Sequence, residues 1–299
     1  MLVLLPPSEG KADGGDGPPL DLAALSFPAL TPVRTKLVSR LERLARKRPE
    51  VLRVALGLSQ KQADEVARDA LLRSAPTLPA VSRYTGIVYD NLSYATLRGP
   101  AKRRADSSLV VASALFGLLR PTDLIPAYRL SGATTLPGLG GLAPVWRTAL
   151  ECELSAVRGL VVDLRSGAYA ALARVPGSVE VRVLREAAGK RTVVSHDNKW
   201  TKGRLARALC EHGARTVADV ADVGRSVSDA VEVSEGRSGP RVDLLLHGLA
   251  SARLGSGDLA PVTRGCGDAG PPPARRRPPP QEHPARPLVS RPGSGCAGR

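Results

Sequence analysis

Aromatic residues are scarce. Two Trp, five Tyr and two Phe make up 3% of the 299 residues, so a core must rest on Leu, Val and Ala, and a single-strand platform of stacked rings is disfavoured. Long apolar runs are also missing: LVVASALFGLL at 109–119 is the most apolar stretch and falls well short of the roughly 18 residues that span a bilayer. The opening Met-Leu-Val-Leu-Leu has no basic segment before it and no cleavage-like stretch after it, so neither a secretory leader nor a membrane partner is expected. Cys152, Cys210, Cys266 and Cys296 form no Cys-x-x-Cys pair. Reduced thiols, a cytoplasmic location, no metal site and no cofactor are therefore the expectation. The four histidines supply no ligand spacing for zinc or iron.

Acidic residues are in deficit. Lys and Arg number 43 against 28 Asp and Glu, a formal charge of +15. Residues 264–299 carry seven arginines against two acids, which leaves 36 basic and 26 acidic residues, or +10, in residues 1–263. The body itself is basic and should attract polyanions.

The order of apolar runs and turn residues alternates strand and helix, which predicts an α/β fold, while the length suits either one large domain or two ordinary ones. LVLL opens the chain as a strand, VVASALFGLL reads as a buried strand turning at Gly117, and LVVDLRSGAYAAL reads as strand, Ser-Gly turn and helix. VEVRVLRE alternates as a strand, GKRTVVSHDNKWTKGRLARALCEHG gives a strand, a polar loop and a helix ending near Gly213, and RVDLLLHGLA supplies the last element. Val33, Leu37, Leu41, Leu44 and Ala45 make one stripe of a strongly basic amphipathic helix, read either as a solubilising face or as a polyanion contact. Residues 51–71 read as two helices joined at Gly57, with Ser59 and Gln62 at capping-box spacing: a helix-hairpin-helix pattern, or else an ordinary helical hairpin. In the first case Gly57, Ser59 and Lys61 would meet a nucleic-acid phosphate. Residues 264–299 hold 15 Pro and Gly and should form a disordered tail.

Two segments carry the candidate chemistry. Pro6-Pro7-Ser8-Glu9-Gly10-Lys11 follows the first strand, but Gly10-Lys11 lacks the earlier glycine of G-x-x-x-x-G-K-[ST] and is followed by Ala12, so it is not a Walker A loop. Lys11 can still hold a phosphate at the strand's end, with Glu9 orienting it or acting as a base, or the two can simply pair. In SHDNKWTKGR, residues 195–204, His196, Lys199, Lys202 and Arg204 converge at a helix start and make the best phosphate site in the chain. Ser195-His196-Asp197 is not a triad by adjacency.

Taken in order, PPSEGK, YTGIVYDNL, SALFGLLRPTDLIPAYRL, VVDLRSGAY and SHDNKWTKGRLARAL resemble the YaaA family of bacterial peroxide-stress proteins over about residues 1–247. The family frequently has Gly where Ala114 stands and an aromatic where Asp197 stands. The resemblance implies a single α/β domain over 1–263, a mixed β-sheet flanked by helices and containing a helix-hairpin-helix, with a positively charged cleft that binds duplex or distorted DNA and a role in limiting peroxide damage through lower free iron. Its cleft candidates in this chain are Lys11, Arg120, Arg129, His196, Lys199, Lys202 and Arg204.

The leading expectation is a DNA-binding protein of the peroxide response with weak sequence preference and steep salt dependence. The alternative is an enzyme acting on a nucleotide or nucleic-acid base, with Glu9 and Asp123 as the catalytic candidates. Convergence of Glu9 and Asp123 with Lys199 in one closed pocket would favour the enzyme, and their pairing with arginines would favour the binder.

Overall fold

Strands buried on both faces need no polar alternation, and LVLL, LVVAS and VV of VVD are wholly buried. In the computed structural model, which describes residues 1–187, 189–236 and 239–247, these segments form the middle of one mixed sheet. Its strands are β1 (Leu2–Leu5), β2 (Leu109–Ser113), β3 (Gly117–Leu119), β4 (Val161–Asp163), β5 (Val179–Ala187), β6 (Lys190–Thr192), β7 (Ala230–Glu235) and β8 (Pro240–His247). The order is β7-β8-β5-β4-β1-β2-β3, with β6 on β5. From β8 to β2 the strands run parallel, while β3, β6 and β7 pair antiparallel. In register, Val3 of β1 lies between Leu109 of β2 and Val162 of β4.

The helices flanking the sheet include α1 (Thr31–Lys47), α2 (Pro49–Ala55), α3 (Ala63–Asp69), α4 (Ile87–Leu92), α5 (Gly99–Ser108), α6 (Leu142–Ser155), α7 (Ser195–His212) and α8 (Val217–Gly224). With few rings available, the largest is placed centrally: Trp146 of α6 is fully buried and its Nε1 donates to the Ala114 carbonyl at 2.8 Å. Gly117 meets that indole with φ +73°, and a Cβ there would lie 2.8 Å from the ring.

Three expectations change on folding. The run 109–119 is a hairpin and not one strand turning at Gly117: it reverses at residues 114–116, where the Ser113 hydroxyl accepts the N–H of Leu115 and Phe116, and Gly117 opens the return strand. The polar loop expected ahead of α7 is shorter than the sequence suggests: the helix already begins at Ser195, so SHDNKW lies in its first turns, and Gly213 caps its end as expected. On α1, two of the six basic residues are used internally, while Lys36, Arg43, Arg46 and Lys47 stay exposed. Arg34 is fully buried and donates to the carbonyls of Phe116, Ser26 and Leu118, and Arg40 donates to that of Pro137.

Residues 49–69 do form two seven-residue helices about a turn, with the Ser59–Gln62 capping box in place. A phosphate-gripping helix-hairpin-helix is not what the turn displays. Gly57 N–H donates to Val54 O, Leu58 N–H to Arg53 O, and Ser59 N–H to the Gln62 side chain, so these three donors are already engaged. No helix among the described residues is long and apolar enough to cross a membrane. The expected tail, 264–299, lies outside the described residues.

Candidate functional site

Parallel strands deliver their following loops to one edge of the sheet, and ligand sites form where the strand order reverses. Here the chain steps from β1 to β2 on one side and returns to β4 on the other, so the loops after β1 and β4 diverge and leave a crevice. A cavity of about 450 Å³ occupies it. Its floor is the Pro6–Gly10 loop with Leu164 and Ser166, and one wall is Thr85–Tyr89 at the start of α4 with Tyr169 nearby. The other wall is a single face of α7, Ser195, Asn198, Lys199 and Lys202, spaced i, i+3, i+4 and i+7.

The floor loop is fixed by its own hydrogen bonds. Tyr89 Oη donates to the Pro6 carbonyl at 2.9 Å, Thr85 N–H donates to Ser8 Oγ at 3.1 Å, and Lys11 Nζ donates to the carbonyls of Ser8 at 3.0 Å and Glu9 at 3.2 Å. Lys11 thus sits behind the loop and not among the residues lining the cavity, its ammonium 4.3 Å from the centre of the Tyr128 ring and 5.5 Å from that of Tyr84. The two phenols share a 2.7 Å hydrogen bond, and Tyr128 continues to Ser113 Oγ at 2.8 Å. Burial, assisted by Arg129, pushes the Lys11 ammonium down to about 8 against the pull of Glu9, Asp69 and Glu65. Fully buried Asp69 accepts the Arg129 N–H at 2.8 Å through one oxygen, and burial holds its carboxyl well above the usual range.

Lys202 is the deepest cation of the α7 wall. It is 7% exposed, and its one hydrogen bond among the described residues, to the Arg165 carbonyl, is 3.4 Å long. Burial lowers its affinity for the proton, with Asp163 and Glu180 opposing. Asp163 does not pair with it, because Arg165 holds that carboxylate with contacts at 2.9 and 2.7 Å. The Asn198 side-chain oxygen is buried with no donor reaching it among the described residues.

The helix divides the predicted phosphate cluster. Lys199 and Lys202 face the cavity, whereas His196 and Arg204 line a second, more open depression of about 540 Å³ with Asp197, Trp200 and Arg185. There Arg204 stacks 4.5 Å over the Trp200 ring, and Arg185 pairs with Asp197 at 2.7 Å. Arg129 reaches the cavity's edge only by pairing with Glu9 at 2.8 Å. Arg120 lies elsewhere, donating to the Ser107 carbonyl and covering the Phe27 ring. Asp123 is structural in its contacts: it accepts the Ser26 N–H and hydroxyl on one oxygen and the Arg120 N–H on the other. Glu9 and Asp123 therefore do not converge. Gly57, Ser59 and Lys61 are absent from both depressions. Sequence reasoning missed Asp69, Tyr128, Asn198, Ser166 and Tyr169; only Ser166 carried a local signal, the Ser-Gly turn after an apolar strand.

Residues 1–227 match the family described as peroxide stress protein YaaA. The chain belongs to that family. Among relatives, a UPF0246 protein of Corynebacterium efficiens is 48% identical over 244 residues, covering 79% of this chain and 97% of its own length. A UPF0246 protein of Streptomyces coelicolor is 45% identical over 260 residues, 83% of this chain and 99% of its own. The match includes the floor loop, α4 and all of α7. Ala114 is buried in the β2–β3 turn, and Asp197 takes the ion pair with Arg185.

Proposed function

We propose that this chain serves the peroxide-stress role of its family by binding nucleic acid through backbone phosphates at the mouth of the crevice. Lys199, exposed at the rim, carries the reading, with Lys202 buried one turn further along the same face. They stand on one face of α7, at the edge of the sheet where ligands bind, and no acid pairs with either among the described residues. Arg129, Arg165, Arg185 and Arg207 contrast with them, being tied to Glu9, Asp163, Asp197 and Glu211. Phosphate contacts of this kind position a duplex without reading its sequence, and the +10 charge of residues 1–263 draws the polyanion in. Lys61, exposed beside the 49–69 hairpin, is a secondary contact at most, because the turn's own N–H groups are engaged.

Fluorescence anisotropy of labelled duplex across a salt series tests this. Each phosphate contact contributes roughly 0.9 to the slope of log affinity against log salt, so Lys199→Gln should lower that slope by about one. An unchanged slope refutes the assignment. A second reading, an enzyme acting on a nucleotide or base, rests on the enclosed space behind Lys199 alone, since Glu9 is paired with Arg129 and Asp123 lies elsewhere. Mass spectrometry of nucleotides and oligonucleotides before and after incubation would reveal a product.

A further inference from the structure

An exposed lysine such as Lys199 is enough for a phosphate backbone, and a backbone needs no cavity behind it. This chain has one, and its lining is not that of a phosphate groove. Pro6, Pro7, Ile87, Leu164 and the tyrosines Tyr89 and Tyr169 make its walls mainly apolar, and 450 Å³ lies within the roughly 300–1,000 Å³ of small-molecule sites. At the α7 wall are the buried ammonium of Lys202 and the unpartnered amide oxygen of Asn198. A buried charge without a counter-ion is costly, and a buried acceptor without a donor is costly too. An anion on Lys202 and a hydrogen-bond donor on Asn198 would remove both penalties.

We infer that the cavity is a binding site for one nucleotide: a heterocyclic ring against the apolar wall, its edge hydrogen-bonded to the Asn198 amide, and its phosphate on Lys202. The amide offers a donor and an acceptor, as base edges require. Lys202 supplies a charge-assisted contact in a poorly hydrated place, where such contacts are strongest. The inference rests on reading this edge of the sheet as a phosphate site. The same chemistry is presented by a free nucleoside monophosphate and by a nucleotide turned out of a duplex.

Calorimetric titration of the full-length protein with deoxynucleoside monophosphates, deoxynucleosides and inorganic phosphate tests the site directly. The monophosphates should bind more tightly than either fragment, and Lys202→Met should weaken them at least about tenfold. Because a buried lysine also bears on folding, Ser166→Leu serves as a second variant: it fills the cavity from an exposed loop position and should abolish binding while far-ultraviolet circular dichroism stays unchanged. Duplex carrying 2-aminopurine separates the two sources. Fluorescence that rises on complex formation, and does not rise with Ser166→Leu, assigns the cavity to an extruded nucleotide; binding of monophosphates without that rise assigns it to free ones. Phosphate binding as tightly as the monophosphates overturns the inference, since the ring would then contribute nothing. Neither monophosphate binding nor a fluorescence rise overturns it as well; duplex affinity that persists under those conditions leaves the backbone reading standing, and its loss removes both.

Discussion

Gly203→Ala tests how the crevice is walled. Gly203 lies in α7 where it crosses α4, and a Cβ placed there would sit 2.4 Å from the Val88 carbonyl oxygen and 2.8 Å from Asn91 Cβ. The closest atom is backbone and cannot swing aside, so the two helices must separate. Alanine gains about 1 kcal/mol of intrinsic helix preference over glycine, while overpacking costs about 1–3 kcal/mol, with the upper end, about 3, applying here because backbone has to move. A net loss of about 2 kcal/mol follows, or roughly 4–8 °C in Tm for a domain of this size. Gly167→Ala is the control, because nothing lies within 4 Å of its Cβ position; it should leave Tm unchanged or raise it slightly. Thermal and urea unfolding of the two variants beside wild type give the comparison. Since α4 and α7 both wall the cavity, Gly203→Ala should also weaken ligand binding in the folded protein. If Gly203→Ala is as stable as wild type, the close helix crossing and the crevice geometry built on it are refuted.

Lys11 gives a pH dependence of defined sign. Its ammonium is pushed from 10.5 down to about 8 by burial, so the cost is fully present below pH 8 and stability rises as pH climbs toward 10.5, by about 3 kcal/mol in all. Urea midpoints between pH 7.5 and 10 should show that rise in wild type and lose it in Lys11→Met. Arg165→Met strands the mostly buried Asp163 carboxylate and should cost about 3–5 kcal/mol in urea unfolding, whereas Arg165→Met with Asp163→Leu should recover most of it. Arg120→Ala removes the contact to the Ser107 carbonyl, so it should lower Tm while duplex affinity stays within about twofold of wild type by anisotropy.

The sheet was legible wherever burial on both faces made a strand continuously apolar, as in LVLL and LVVAS, and so was the site's general position at the ends of those strands. What escaped depended on tertiary contact. Where the polar loop ends and α7 begins could not be read, because SHDNKW has no apolar residue but Trp200 and so shows no helical stripe. The same helix period, applied to residues 195–204, would have separated Lys199 and Lys202 from His196 and Arg204. Asp69 and Tyr128 are brought to Lys11 by packing across 58 and 117 positions of chain, a distance at which no local pattern speaks. The basic stripe of α1 misled for a related reason: composition counts Arg34 as surface charge, yet the fold spends it on three carbonyls.

If the paired lysines of α7 hold phosphate, anisotropy of labelled duplex with the 299-residue protein, wild type and Lys199→Gln/Lys202→Gln, at several salt concentrations will show it. The wild type should form a salt-dependent complex whose affinity falls at least about tenfold in the double variant, with a shallower salt slope. Equal affinity and equal slope in the two proteins would contradict it and return the binding charge to residues outside the crevice.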